Sequence, residues 1–288
     1  DKHLYISCRY LPNFFNHKYR IAWSKIEETK KISQIKHNAV RAILKYLNCK
    51  NGLEIHYDGD LPARSGMGSS SCFVVGLLKA IYELENKKVN KNFLAKKSIF
   101  LEQKIMKEVV GSQDQVAASF GGFNKIIFKK NIFRIKKIKN RNLNKLNDNL
   151  LLIYTGIRRT AQFVANTYVH RLKKDRKNDL EKIISFVNDA EKILQSNQLD
   201  DFGELLNESW YYKRKLSNRI TNNKINELYD LSLKNGATGG KLLGAGGGGF
   251  MLLYVKKNDQ RKFLKKMKNI IEIPFKFSNT GTETILKR

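Results

Sequence analysis

The chain has 288 residues, of which 41% are hydrophobic, enough for one large or two modest domains around a buried core. Its 55 Lys+Arg against 26 Asp+Glu give a net charge of +29, which raises a nucleic-acid or anionic-membrane partner; the basic pairs Lys96-Lys97, Lys129-Lys130, Lys136-Lys137, Lys173-Lys174 and Lys265-Lys266 are scattered, however, which favours solvated surface charge over a dedicated stripe. Cys8, Cys49 and Cys72 form no CxxC pair, which argues against a zinc knuckle or a disulfide framework and for a reducing cytoplasm, and no apolar run reaches the roughly 18 residues that span a bilayer.

In chain order, apolar-rich or alternating runs predict strands at Leu4 to Arg9, Tyr19 to Ser24, Leu53 to Tyr57, Lys125 to Phe128 and Asn149 to Thr155. Helical periodicity predicts helices at Ile35 to Leu47, Cys72 to Leu84, Asn92 to Met106, Ala161 to Arg171, Asp179 to Leu194, Phe202 to Leu216 and Asn223 to Asn235. The strand GFMLLYV, a short basic helix around Arg261 to Lys268 and a final strand IPFKF complete an α+β plan. The pattern changes from mixed to mostly helical near Ala161, which divides the chain into 1–160 and 161–288.

Three stretches carry chemistry. In PARSGMGSSS, residues 62–71, Gly66 and Gly68 permit unusual backbone angles and close ligand approach, and Ser69 to Ser71 fall where a helix exposes unpaired N–H groups. The following helix has Val74, Leu77, Leu78 and Ile81 on one face, so it can hold its N-terminus rigidly toward a phosphate; by pattern alone the stretch fits a serine-capped helix after a glycine turn equally well. No GxxxxGK[ST] P-loop occurs, because Gly240-Lys241 is followed by Leu242. The GxGxxG string at Gly244, Gly246 and Gly249 runs into a strand, the wrong context for a dinucleotide fold. Five glycines in the six residues GAGGGG still require close backbone packing against another backbone or a ligand. In LEQKIMKEVVGSQDQVAASFGG, Glu102 lies in a predicted helix and Asp114 in a turn after Gly111; beside a phosphate cradle these two carboxylates suit a metal ligand and a base, whereas by pattern alone an Asp after a Gly-Ser turn is more often a helix cap, so the pair counts only together with the other motifs.

PARSGMGSSS, Glu102 with GSQDQ, and GATGGKLLGAGGGGF occur in that order, and together they resemble the GHMP small-molecule kinases over nearly the whole chain. DKHLYIS, LLLIYTGIRRTA and IPFKF add a likeness to heptose 7-phosphate kinases and fucokinase-type sugar kinases. The resemblance implies a two-domain α+β GHMP kinase fold, with an N-terminal domain like the second domain of ribosomal protein S5, a ferredoxin-like C-terminal domain, and ATP between them. It implies a phosphate loop of Pro62, Gly66, Met67, Gly68, Ser69, Ser70 and Ser71, Mg²⁺ held by Ser70 and Glu102, and Asp114 as the group that takes or orients the acceptor's proton. Gly244, Gly246 and Gly247 match the third motif, and Arg64, Arg158, Arg159 and Lys241 are the candidates for gripping a sugar phosphate, with ordinary surface cations fitting Arg158, Arg159 and Lys241 equally well.

The implied reaction is phosphorylation of the anomeric hydroxyl of D-glycero-D-manno-heptose 7-phosphate, feeding nucleotide-activated heptose for surface polysaccharide. The alternatives are a fucokinase-type or other GHMP kinase, a truncated and inactive nucleotide-binding relic, and a basic S5-like nucleic-acid binder. The expected partners are a sugar phosphate and ATP in the cytoplasm, with a homodimer left open and neither membrane nor nucleic acid expected. Two departures stand out: Met67 replaces the usual Leu of GLGSS, and Ser112 stands where relatives often have Lys. The family's GGGTD-like opening segment is absent ahead of Asp1, so the sugar site is expected to be incomplete in the chain as given.

Overall fold

A computed structural model describes residues 1–130, 132–158, 161–172, 175–196 and 198–287. Its contacts group into two compact units, one formed by residues 2–63, 68–124 and 278–288 and the other by Asp1 and residues 64–67 and 125–277.

In the first unit, β1 (Leu4–Tyr10), β2 (Tyr19–Ala22), β3 (Ile26–Thr29) and β4 (Leu53–Gly59) form a sheet in the order β1-β4-β2-β3. β4 pairs antiparallel with β1, Tyr10 facing Leu53, and parallel with β2, Tyr19 facing Leu53. The helices are α1 (Asn38–Tyr46), α2 (Ser69–Leu84), α3 (Lys91–Phe100) and α4 (Gln113–Phe120). The apolar stripe expected on α2 is buried, Val74, Leu77, Leu78 and Ile81 joining Ile21, Val40, Ile43, Leu44 and Ile55 in one core. Asn90 caps α3 by accepting the Phe93 N–H, satisfying one of the donors a helix start leaves open.

In the second unit, β5 (Asn124–Lys129, its first residue in the other unit) and β6 (Ile132–Lys137) pair as a two-stranded ribbon, followed by α5 (Asn142–Asp148) and β7 (Leu150–Tyr154). Then come α6 (Ala161–Ala165), α7 (Lys177–Gln195), α8 (Asp201–Lys215), α9 (Asn223–Lys234), β8 (Gly239–Leu242), β9 (Phe250–Tyr254), α10 (Lys257–Lys266) and β10 (Ile271–Glu272). The sheet β10-β7-β9-β8 is antiparallel throughout. Trp210 of α8 and Tyr229 of α9 meet edge-on beneath it, their ring centroids 6.3 Å apart.

Four sequence-based expectations change. The strand read as ending a first domain at residue 160 is β7, which pairs with β9 and β10 and so groups with the C-terminal elements. The helix expected to run from Asn92 to Met106 is regular only to Phe100 and widens into a π-type turn over Leu101–Ile105. Asp114 lies in the first turn of α4 rather than in a loop before it. IPFKF is not a strand: the Ile273 N–H still bonds Leu152 O at 2.8 Å, but Pro274 has no N–H to continue the ladder.

Candidate active site

Gly68 caps α2 in the left-handed conformation, φ +71°, and a Cβ there would stand 3.1 Å from the Asp114 carboxyl carbon. The first turn of α4 is therefore packed directly against the N-terminus of α2, a contact that no other residue at position 68 allows without displacement. Ser71, on the first turn of α2, donates its hydroxyl to both oxygens of Glu102, at 3.1 and 3.0 Å. Gln115 Nε2 donates to the same carboxylate. Glu102 is wholly buried and lies in the π-type turn, and turns of this kind recur at functional sites.

The electrostatics follow from this burial. Desolvation pushes the Glu102 carboxyl up to about 7, opposed by the Gln115 and Ser71 hydrogen bonds and reinforced by Glu108 and Asp114. Asp114 still reaches water, yet the protein crowded around its carboxyl desolvates it and raises it above the ordinary aspartate range. The Cys72 thiol between them is driven up to about 11, first by burial and then by Asp114 and Glu102, so it stays protonated and inert. Two carboxylates with raised affinity for protons thus sit beside one helix N-terminus, an arrangement suited to proton transfer next to a bound anion such as phosphate.

The oxygen-only donor set fits a hard cation such as Mg²⁺, which is commonly shared between one or two carboxylates and the phosphates of a substrate. Gln115 Oε1 is buried with no partner among the described residues, which leaves an acceptor for a water on such an ion. Among the described residues no three His, Cys, Asp or Glu side chains cluster, so the protein by itself would offer few ligands. Ser70, the hydroxyl assigned to the metal from the sequence, is exposed, and the serine that reaches Glu102 is Ser71. Gln115 was missed; its signal was its position one residue after Asp114 at the start of a helix.

In the second unit the third motif explains its glycines by backbone packing. A Cβ on Gly249, φ +98°, would lie 1.9 Å from Ser65 O, and the Gly249 N–H donates to Ile157 O at 2.8 Å. The Gly247 N–H donates to Ile220 O at 2.7 Å. Lys213 Nζ holds the entry of the loop, donating to Leu242 O at 2.8 Å and Gly244 O at 2.6 Å. Ser65 is buried and its hydroxyl has no partner among the described residues, while Arg64 beside it is exposed with φ +62°. Of the cations singled out from the sequence, Arg158 is exposed and Lys241 donates to Ser209 Oγ at 2.9 Å, with burial lowering its pKa. Lys241 is therefore not an ordinary surface lysine. Arg159, like Lys173 and Lys174, lies outside the described residues. Pro62, Gly66 and Met67 are half-buried.

Gly249→Ala is expected to lower the melting temperature by several degrees, because a methyl at 1.9 Å from a carbonyl oxygen and a left-handed alanine each cost about 1 to 3 kcal/mol. Thermal unfolding followed by circular dichroism checks it.

Residues 33–122 match the GHMP kinases N terminal domain and residues 190–271 the GHMP kinases C terminal domain. The chain is 34% identical over 239 residues to the D-glycero-alpha-D-manno-heptose 7-phosphate kinase of Campylobacter jejuni, covering 80% of this chain and 70% of that protein. It is 29% identical over 234 residues to the mevalonate kinase of Methanocaldococcus jannaschii, again covering 80% and 70%. Among solved structures, a D-glycero-D-manno-heptose 1-phosphate kinase from Bacteroides thetaiotaomicron superimposes with a TM-score of 0.75 at 21% identity, over 98% of this chain and 86% of that one.

Proposed function

Since this chain belongs to the GHMP kinases, ATP-dependent phosphotransferases that act on hydroxyl groups, we propose that its acceptor is the anomeric hydroxyl of D-glycero-D-manno-heptose 7-phosphate. Its product would then feed the synthesis of a nucleotide-activated heptose for surface polysaccharide. The observation that carries the substrate is the 34% identity, over most of both chains, to a heptose 7-phosphate kinase.

In this reading the amides at the start of α2, from Gly68 to Ser71, receive the phosphates of ATP, where the helix leaves N–H groups unpaired. Glu102 and Ser70 hold Mg²⁺, with Ser71 and Gln115 fixing the Glu102 carboxylate. The ion, when bound, neutralises charge on the phosphates. Asp114 accepts or orients the proton of the attacking sugar hydroxyl, and its raised pKa moves it toward the range where a base is effective. Arg64, Arg158, Arg159 and Lys241 are the cations proposed for the phosphate already on the sugar, since arginine grips phosphate with two parallel hydrogen bonds.

The purified protein, ATP and Mg²⁺ incubated with heptose 7-phosphate, unphosphorylated heptose, fucose, galactose and mevalonate test the proposal, with products read by ³¹P NMR. Heptose 7-phosphate is expected to give a 1,7-bisphosphate at the highest kcat/KM. Turnover of fucose or mevalonate in preference would reject the heptose phosphate while leaving the family untouched. Arg158→Ala and Arg159→Ala are each expected to raise KM for the phosphorylated sugar by about 10-fold, the loss of one charge-assisted hydrogen bond of roughly 1.5 to 3 kcal/mol. If both variants keep the wild-type preference, the pocket lies elsewhere.

A further inference from the structure

Helix α4, which carries Asp114 and Gln115 in its first turn, is held at its other end by a segment more than a hundred residues away in sequence. The Ala118 carbonyl, one of the last four of the helix and so without an intrahelical partner, accepts from both the Thr282 N–H and Thr282 Oγ1, each at 2.9 Å. The Gly122 N–H donates to Ser278 O at 3.1 Å. Between these bonds the two backbones touch. A Cβ on Gly121 would lie 2.1 Å from the Thr280 carbonyl carbon, and one on Gly281 would lie 2.5 Å from Ser119 O. Beyond the crossing, Lys287 pairs with Glu83 of α2 at 3.1 Å.

An eight-residue helix is too short to be stable by itself, so its position is set by what grips it. Ala118 and Asp114 are one turn apart on the same face, about 6 Å along a rigid rod, so a shift at the carbonyl is passed on to the carboxylate. We propose that residues 278–287 act as a strap on α4, with Thr282 and the Gly121–Gly281 contact as positioning residues that set where the Asp114 carboxylate lies against Gly68. This rests on the acceptor-side role proposed for Asp114. The phosphate-facing amides sit on α2, and α4 reaches the proposed Mg²⁺ ligand Glu102 only through Gln115, so loosening the strap should damage turnover more than nucleotide binding.

Three variants test the strap. Thr282→Val removes the hydroxyl at nearly constant shape, Thr282→Ser retains it, and Gly281→Val forces the backbones apart. Each is measured for kcat, for KM of ATP and of the sugar phosphate, and for amide hydrogen exchange over residues 113–120. Thr282→Val is expected to lower kcat several-fold and Gly281→Val 10-fold or more, with a smaller rise in KM for ATP and faster exchange across α4; a displacement of about 1 Å suffices for losses of this size. Thr282→Ser is expected to behave as wild type. Unchanged kcat and exchange in Thr282→Val, a Thr282→Ser variant as impaired as Thr282→Val, or a parallel rise in KM for ATP would each overturn the proposal. So would faster exchange with wild-type turnover, which would separate the strap from catalysis. Should Gly281→Val fail to fold, the Thr282 pair decides. If Asp114→Asn itself turns over normally, the role of Asp114 falls on its own evidence, and the strap falls with it as a device for catalysis.

Discussion

Asn in place of Asp114 is expected to reduce kcat by about 10²-fold or more while leaving the affinity for ATP nearly unchanged. Removing a positioned general base typically costs 10² to 10⁴ in rate. The substitution keeps the shape that packs against Gly68, where a Cβ would stand 3.1 Å from the carboxyl carbon, so the start of α2 is preserved for the nucleotide. Asparagine cannot take the hydroxyl proton, and its amide cannot orient the sugar oxygen as an anion does. The comparison is made by steady-state kinetics together with a calorimetric titration of the nucleotide. A variant with near-wild-type kcat would remove Asp114 from the mechanism, and a large loss of nucleotide affinity would move it to the phosphate side.

Glu102→Gln is expected to weaken the binding of Mg²⁺-nucleotide and to lower kcat/KM by about 10²-fold, because one charged oxygen ligand of an ion worth several kcal/mol is lost. The same variant should alter stability in the opposite sense. Folding raises the Glu102 carboxyl from 4.5 to about 7, so the folded state holds the proton more tightly than the unfolded one. Its contribution is therefore most favourable below the unfolded value and is lost as pH rises through about 7, where the buried anion costs about 3 kcal/mol. Glutamine carries no charge to desolvate, and Gln115 can turn its unpartnered Oε1 to accept from the new amide. The melting temperature of Glu102→Gln minus that of the wild type should therefore be larger at pH 8 than at pH 5. A difference that does not change with pH would mean that Glu102 titrates normally in the folded protein.

Much of this molecule could be read from the order of its residues. The apolar stripe of α2 and the glycines and serines that open it were legible because periodicity, conformational freedom and unpaired N–H groups belong to a few consecutive residues; the family and the phosphotransfer chemistry came from the resemblance that three motifs in order bear to the GHMP kinases. The packing reason for five glycines in GAGGGG was also legible, although the backbones they meet, at Ser65, Ile157 and Ile220, were not. The tertiary structure alone decided which serine reaches Glu102, that Gln115 completes its hydrogen bonds, and that burial raises both carboxylates. It also assigned β7 to the sheet with β9 and β10, and laid Thr282 on Ala118. Each of these joins residues far apart along the chain, and a pKa is fixed by what surrounds a group in space; neither pairing partners nor desolvation are written in the spacing of neighbouring residues.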